Sequence, residues 1–336
     1  MYKRRIINKK GVALILILWV VTLLSVIVNT FAWMVRTEAQ AVGNFQEETK
    51  AYYLARGGFQ RTIMKLLKNQ GLPAEETPGE GLKLDGRVNM VHFQDGYAEV
   101  RVVDEGGKID INVASRDDLI RVFTALKIEG ENKDVIADSI LDWIDENDLH
   151  RLNGAENDYY RSLPEPYMAK DGPFSMVDEL LWVRGITPEI FYNFAVSRSP
   201  DHERSEGEGE ASLSEEEGLF ATSLESIFTV FTGSNKVNIN IASMTLLTAI
   251  PGIGEAQAEK IIAIREESPF RDMRDLTKVV PSFPPEFSKF INFSSPGVYT
   301  IEIVGRLNGS YVRRSLKSVV KIKGKGDYEI LYWKEG

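Results

Sequence analysis

Carboxylates are the side chains of this sequence best placed to do chemistry. The run Asp142-Trp143-Ile144-Asp145-Glu146-Asn147-Asp148, followed by Gly154-Ala155-Glu156-Asn157-Asp158-Tyr159-Tyr160, gathers acids around an expected helix end. Hard oxygen donors at that density suit calcium. No complete EF-hand loop frames them, and a solvated acidic loop with Asp caps is the plain alternative. A competing reading is an envelope hydrolase using the Asp142 to Asp158 carboxylates, for which paired acids are necessary but far from sufficient. The histidines, His92, His150 and His202, fall in a strand, the acidic loop and a linker, with no spacing that makes a site. Cysteine is absent, which excludes disulfides, thiol nucleophiles and thiolate metal sites. Without a GxSxG, HExxH, Walker A or GxGxxG pattern, catalysis is not expected.

A second candidate is Leu246 to Gly254, with Ala258, Ile261, Ile262 and Arg265 after it, which resembles a helix-hairpin-helix. Its glycines permit a tight turn whose amides can face a phosphate. Charge opposes a DNA role. Residues 236–280 carry six bases and six acids, and the whole chain is at -9, so no cationic surface is available to displace phosphate counterions. No nucleic acid is expected as a partner, and the competing reading of a membrane-anchored DNA receptor rests on this hairpin alone.

These candidates need elements to position them. Lys108-Ile109-Asp110-Ile111-Asn112-Val113-Ala114-Ser115 and Lys236-Val237-Asn238-Ile239-Asn240-Ile241-Ala242-Ser243 are near-copies. Each reads as a short strand running into a helix capped by its Ser. Upstream, Val88–Phe93 and Tyr97–Val103 flank a Gln94-Asp95-Gly96 turn. Downstream, the alternation around Tyr299–Val304, the Asn308-Gly309 turn, Tyr311–Ile322 and Tyr328–Trp333 supply further strands. Residues from about 116 to 200 read as helical and separate. Pro200–Gly218 has eight acids and almost no apolar residues, so it reads as a flexible linker.

The N-terminal decapeptide holds five bases and no acid, and Gly11 to Val35 is uncharged. Twenty-five helical residues span about 37 Å, enough for a hydrocarbon core of about 30 Å. The flanking bases predict a cytoplasmic N-terminus, so that the rest of the chain lies on the other side of the membrane. Beyond Arg36, Tyr52, Ala55, Phe59, Ile63 and Leu66 share one helical face. The Gly57-Gly58 pair is expected to weaken this helix locally and allow a bend. Gly71 and Pro73 are expected to end it.

Lys9 to Leu16 resembles a prepilin leader. That resemblance implies cleavage after Gly11 by a prepilin peptidase, with Val12 as the methylated mature N-terminus. Prepilins usually carry Glu at the fifth mature position, where this chain has Leu16. With Asp104–Asn112, Asp142–Asp145, Gly154–Glu156, Ser175–Leu180 and the second Asn-Ile-Asn-Ile-Ala-Ser copy, the chain resembles the K-type minor pseudopilins of type II secretion, from about Lys9 to the final strands. The resemblance implies an α+β fold in which a pilin-like long N-terminal helix packs on an antiparallel sheet interrupted by a helical SAM-like insertion domain. The expected divisions are a 1–11 leader, a 12–35 transmembrane helix and a 36–72 periplasmic continuation. They continue as 73–115 and 219–336 for the two parts of the sheet domain, 116–200 for the insertion and 201–218 for the acidic linker. Implied partners are I-type and J-type minor pseudopilins, the major pseudopilin, the prepilin peptidase and the inner membrane, with Leu16, Phe59, Ile63 and Leu66 as candidate contacts, the last three expected to face either partners or the chain's own sheet. The soluble region is expected in the periplasm. The resemblance also implies calcium, with Asp142, Asp145, Asp148, Glu156 and Asp158 as candidate ligands.

Overall fold

The computed structural model describes residues 9–69, 82–128, 130–193, 223–280, 283–324 and 326–336, and the side chains of 9–12 and 69 are not among them. The expected leader before Lys9, the helix stop at Gly71 and Pro73 and the acidic linker lie outside the described residues. Gly11 and Val12 fall inside the first helix.

That helix, α1, runs unbroken from Lys9 to Asn69, about 90 Å at the usual rise. Its apolar first half, Ala13 onward, is exposed along its length and is long and apolar enough to cross a membrane. Leu16 is 63% exposed. The second half lies on a five-stranded antiparallel sheet of β1 (Asp85–His92), β2 (Gly96–Asp104), β7 (Val298–Leu307), β8 (Arg313–Gly324) and β9 (Asp327–Glu335), in the order β1-β2-β7-β8-β9. Alternate residues of the sheet, among them Ala98, Val100, Val102, Ile301, Ile303, Leu316 and Val320, meet Ala55, Phe59, Ile63 and Leu66 of α1 in one core.

Phe59, Ile63 and Leu66, expected to face either partners or the chain's own sheet, are 1, 2 and 3% exposed and face the sheet. An apolar stripe of helical period says that a face is buried, not what buries it. α1 continues through the Gly57-Gly58 pair without a break. A Cβ on Gly58 would come within 2.8 Å of the Ala98 Cβ, and one on Gly305 of β7 would overlap the Ala51 carbonyl oxygen. These glycines let helix and sheet backbones approach closely.

Between β2 and β7, which are hydrogen-bonded neighbours with Asp104 opposite Tyr299, the described residues of 105–297 form a helical body built from two copies of one unit. In the first, β3 (Ile109–Asp110) turns through Asn112 into α2 (Arg116–Ala125), then α3 (Asn132–Ile144). In the second, β5 (Val237–Asn238) turns through Asn240 into α6 (Met244–Ala249), then α7 (Glu255–Glu267). The first copy also holds α4 (Asn157–Arg161) and α5 (Pro188–Asn193), and the second α8 (Met273–Thr277). Each opening strand pairs in parallel with a two-residue partner that follows a 3-10 turn, β4 (Phe228–Thr229) or β6 (Ile291–Asn292). Ser115 and Ser243 cap the first helix of each copy, accepting from Asp118 N and Leu246 N.

One apolar core runs through both copies from Ile109 to Ile291. The insertion therefore extends well beyond 116–200, and the second Asn-containing copy belongs to it rather than to the sheet domain. Each copy reads as a strand in sequence, but only two residues of it pair, in a bridge of its own. Body and sheet are fastened by Lys108 Nζ on Glu105 Oε1 at 2.6 Å, with Thr300 Oγ1 donating to the same oxygen at 2.7 Å, all buried. Lys317 of β8 reaches Glu302 at 3.2 Å and Glu225 at 3.4 Å.

Candidate functional site

The two copies close in the same way. Asn112 Oδ1 accepts from Phe174 N at 2.7 Å and its Nδ2 donates to Phe174 O at 3.0 Å. Asn240 Oδ1 accepts from Phe270 N at 2.7 Å and its Nδ2 donates to Phe270 O at 2.9 Å. A side-chain amide thus acts as one more rung of backbone pairing. Pro173-Phe174 and Pro269-Phe270 are equivalent positions, and both rings are buried. In the second copy α7 ends at Glu267 and reaches Phe270 directly. In the first, residues 145–172 are spliced between the end of α3 and Phe174, and this loop carries the acids.

The loop folds back over Asp142, whose side chain is fully buried. Arg151 N donates to Asp142 Oδ2 at 3.1 Å, and Arg151 Nη1 lies 2.6 Å from both Asp142 Oδ1 and Asp145 Oδ2. Gly154 is required where the loop crosses Asp142, because any Cβ there would overlap the carboxylate. Asn153 donates to Asp138 Oδ2 from both its backbone and its side chain, and Arg184 Nη1 donates to Gly154 O at 2.9 Å. On the other side Asn157 Nδ2 donates to Asp148 Oδ1 at 3.0 Å and to Asp171 Oδ2 at 3.3 Å, while Asn157 Oδ1 accepts from Ala169 N.

Glu156, 2% exposed, is left over: neither of its carboxylate oxygens has a hydrogen-bond partner, and Asp171 Oδ1 has none either. Burial, then the surrounding charges of Asp142, Asp145, Asp171 and Asp148, push the Glu156 carboxyl up to about 7. Burial also raises Asp142, against the lowering effect of Arg151. Buried carboxylate oxygens without donors are hard ligands of the kind calcium takes, so the donor set fits such an ion. No group of three or more acids or histidines converges as a ready-made cage among the described residues, and Arg151 bridges the carboxylates of Asp142 and Asp145.

Of the five expected ligands, Asp142, Asp145, Asp148 and Glu156 are brought together. Asp158 is exposed in the first turn of α4, its Oδ1 accepting from Tyr159 N. Asp171 was missed. Its sequence signal is the Asp171-Gly172-Pro173 turn, and its φ of 50° is a conformation that Asp tolerates better than most residues.

The hairpin between α6 and α7 offers no comparable opening. Gly252, at φ 90°, turns the chain, and its Cβ position lies 2.6 Å from Pro284, which covers the turn. Arg265 is committed inward, Nη1 donating to Ile239 O at 3.0 Å and Ala242 O at 2.7 Å. Arg274 pairs with Asp272 and Lys278 with Asp275.

Comparison with known proteins bears out the resemblance read from the motifs. The family model for type II secretion system (T2SS) protein K matches residues 87–195, and a helix-hairpin-helix motif model matches 233–286, the second copy. Type II secretion system protein K of Aeromonas hydrophila is 24% identical over 204 residues, 55% of this chain and 61% of the relative. A putative type II secretion system protein K of Escherichia coli K12 is 36% identical over 86 residues, 24% of this chain and 26% of the relative. The chain thus spans less than two thirds of the length of these relatives. A chain of the GspK-GspI-GspJ complex from the enterotoxigenic E. coli type 2 secretion system matches 90% of this chain and 99% of its own length, with TM-score 0.58 and 15% identity, which shows the shared fold.

Proposed function

We propose that this chain is a K-type minor pseudopilin of a type II secretion system, anchored in the inner membrane by α1 with its soluble part in the periplasm. It joins I-type and J-type minor pseudopilins at the tip of the pseudopilus and starts or caps its assembly above the major pseudopilin. The observation that carries this reading is the helical body of 105–297 set between neighbouring strands of a helix-on-sheet domain. In a helical filament each subunit must accept another above it, and a body of that size obstructs continuation except at the end. Leu16 fits the same place, since a carboxylate inside the bilayer costs a few kcal/mol unless paired, and the top subunit has no amine above it to pair with.

The basic decapeptide and Gly11 support cleavage by prepilin peptidase and a methylated Val12. The acidic loop supports one structural calcium ion held by Asp142, Asp145, Glu156 and Asp171, with Asp148 beside them; the ion would supply positive charge to a cluster of buried carboxylates. Nothing in this role calls for catalysis. DNA binding through the hairpin is disfavoured by the zero net charge of 236–280 and by the Pro284 cover.

Co-expression of the full chain with I-type and J-type subunits of the same system tests the proposal. Tagged chain should retain both subunits through detergent purification, and N-terminal analysis should begin at Val12. Recovery of the chain alone would count against the assignment.

A further inference from the structure

We propose that Arg151 is a built-in counter-ion of the acidic loop, holding Asp142 and Asp145 together when no metal is bound and leaving them when Ca2+ enters. The proposal rests on the cation reading above and goes beyond it, to how the site is kept folded without its ion. Five carboxylates, Asp142, Asp145, Asp148, Glu156 and Asp171, face this region, and Arg151 is the one cation that reaches any of them by ion pairing among the described residues. Its guanidinium lies 2.6 Å from two of the five. The oxygens it does not reach, both of Glu156 and one of Asp171, are the buried ones left without donors. A planar fork serves one or two carboxylates in fixed directions, whereas Ca2+ gathers about six to eight oxygens and carries twice the charge.

The geometry also lets the guanidinium go. The Arg151 side chain is 38% exposed, and it lies between Leu149 and Leu152, which are 79% and 93% exposed, so no core packing ties down this crest of the loop. Meanwhile Arg151 N on Asp142, Asn153 on Asp138 and Arg184 on Gly154 O hold the backbone independently of the side chain. The second copy has neither the splice nor the acids, so the device belongs to the first copy alone.

The test is calcium titration calorimetry of the full chain in detergent, with Arg151→Gln and, as a control for general charge, Arg161→Gln. Freed of its competitor, Arg151→Gln should bind Ca2+ about tenfold or more tighter, and Arg161→Gln within about threefold of the parent. Side-chain NMR of [15N]arginine in the parent chain supplies a readout that does not depend on the variant folding. The Arg151 guanidinium should rotate slowly in chelator and fast with Ca2+. Calcium binding by the parent with equal or weaker binding by Arg151→Gln, or a guanidinium equally restrained with and without Ca2+, overturns the role of Arg151 and leaves the calcium site standing. No calcium binding by any of the three proteins removes the site and this inference with it.

Discussion

The two copies in the helical body share a strand, an Asn turn, a Ser cap, a helical hairpin and a closing Pro-Phe step, yet they differ in what connects the hairpin to that step. In the second, Ser268-Pro269-Phe270 follows α7 at once, Asp272 and Asp275 pair with Arg274 and Lys278, and the turn is covered by Pro284. In the first, residues 145–172 intervene and bring buried carboxylates without enough partners. The shared parts are those that complete a core and satisfy backbone groups, and the differing part is where chemistry can be added without disturbing them. A fold repeated within one chain thus supplies its own control: what both copies keep is structural, and what one copy alone has is the candidate for function.

If the closing Pro-Phe step buries its ring equally in both copies, Phe174→Ala and Phe270→Ala should each lower stability by about 3–5 kcal/mol, the usual range for a buried Phe in a core. Denaturant unfolding of the full chain reads both. A near-neutral result for one of them would break the equivalence on which the comparison stands.

Next in size is the response to metal. At calcium about a hundredfold above its dissociation constant the loaded protein gains about 2.7 kcal/mol, so chelation should lower the melting temperature. Glu156→Gln and Asp145→Ala should blunt the response, and Asp158→Asn should leave it within about 0.5 kcal/mol of the parent. Superimposable melts with and without chelator would reduce the cluster to a solvated loop.

A smaller effect separates the copies by pH. Glu156 lies at about 7 in the folded protein against an ordinary 4.5, so the folded state binds more protons across that window. Ion-free stability should fall as pH rises from about 4.5 to about 7, by roughly 1–3 kcal/mol. Asp104, which burial raises to about 6, acts in the same direction, and Glu156→Gln isolates the loop's share. In the second copy the side-chain bonds of Arg274 and Lys278 lower Asp272 and Asp275, so their effect has the opposite sign and lies at lower pH. A melt of the chelated protein that does not depend on pH between 5 and 7 would show that Glu156 is not isolated as described.

Much of this was legible in the residues. The matching Asn-containing segments, the Ser caps, the long helix and all five sheet strands follow from local pattern, because each is fixed by residues close together in sequence. The duplication itself was only half visible. Asn112 and Phe174 are 62 residues apart while Asn240 and Phe270 are 30 apart, so the splice hides the shared Pro-Phe closure behind unequal spacing. The extent of the body was missed for a related reason, since a two-residue bridge and a sheet strand look alike in a window of eight residues. The face of α1 carrying Phe59, Ile63 and Leu66 was seen, but whether a partner or the chain's own sheet covers it depends on close approaches across sequence distance, Gly58 to Ala98 and Gly305 to Ala51. In the acidic loop the density of acids was plain. That Asp171 joins the group while Asp158 turns away depends on loop geometry that no period describes.

The claim that most needs a direct measurement is the position of this chain in the assembled pseudopilus. The sequence has no cysteine, so Leu152→Cys on the exposed crest of the acidic loop gives a single labelling site. With biotin-maleimide and streptavidin-gold on sheared filaments, the account predicts one particle at one end of each filament; particles at regular intervals along the shaft would contradict it.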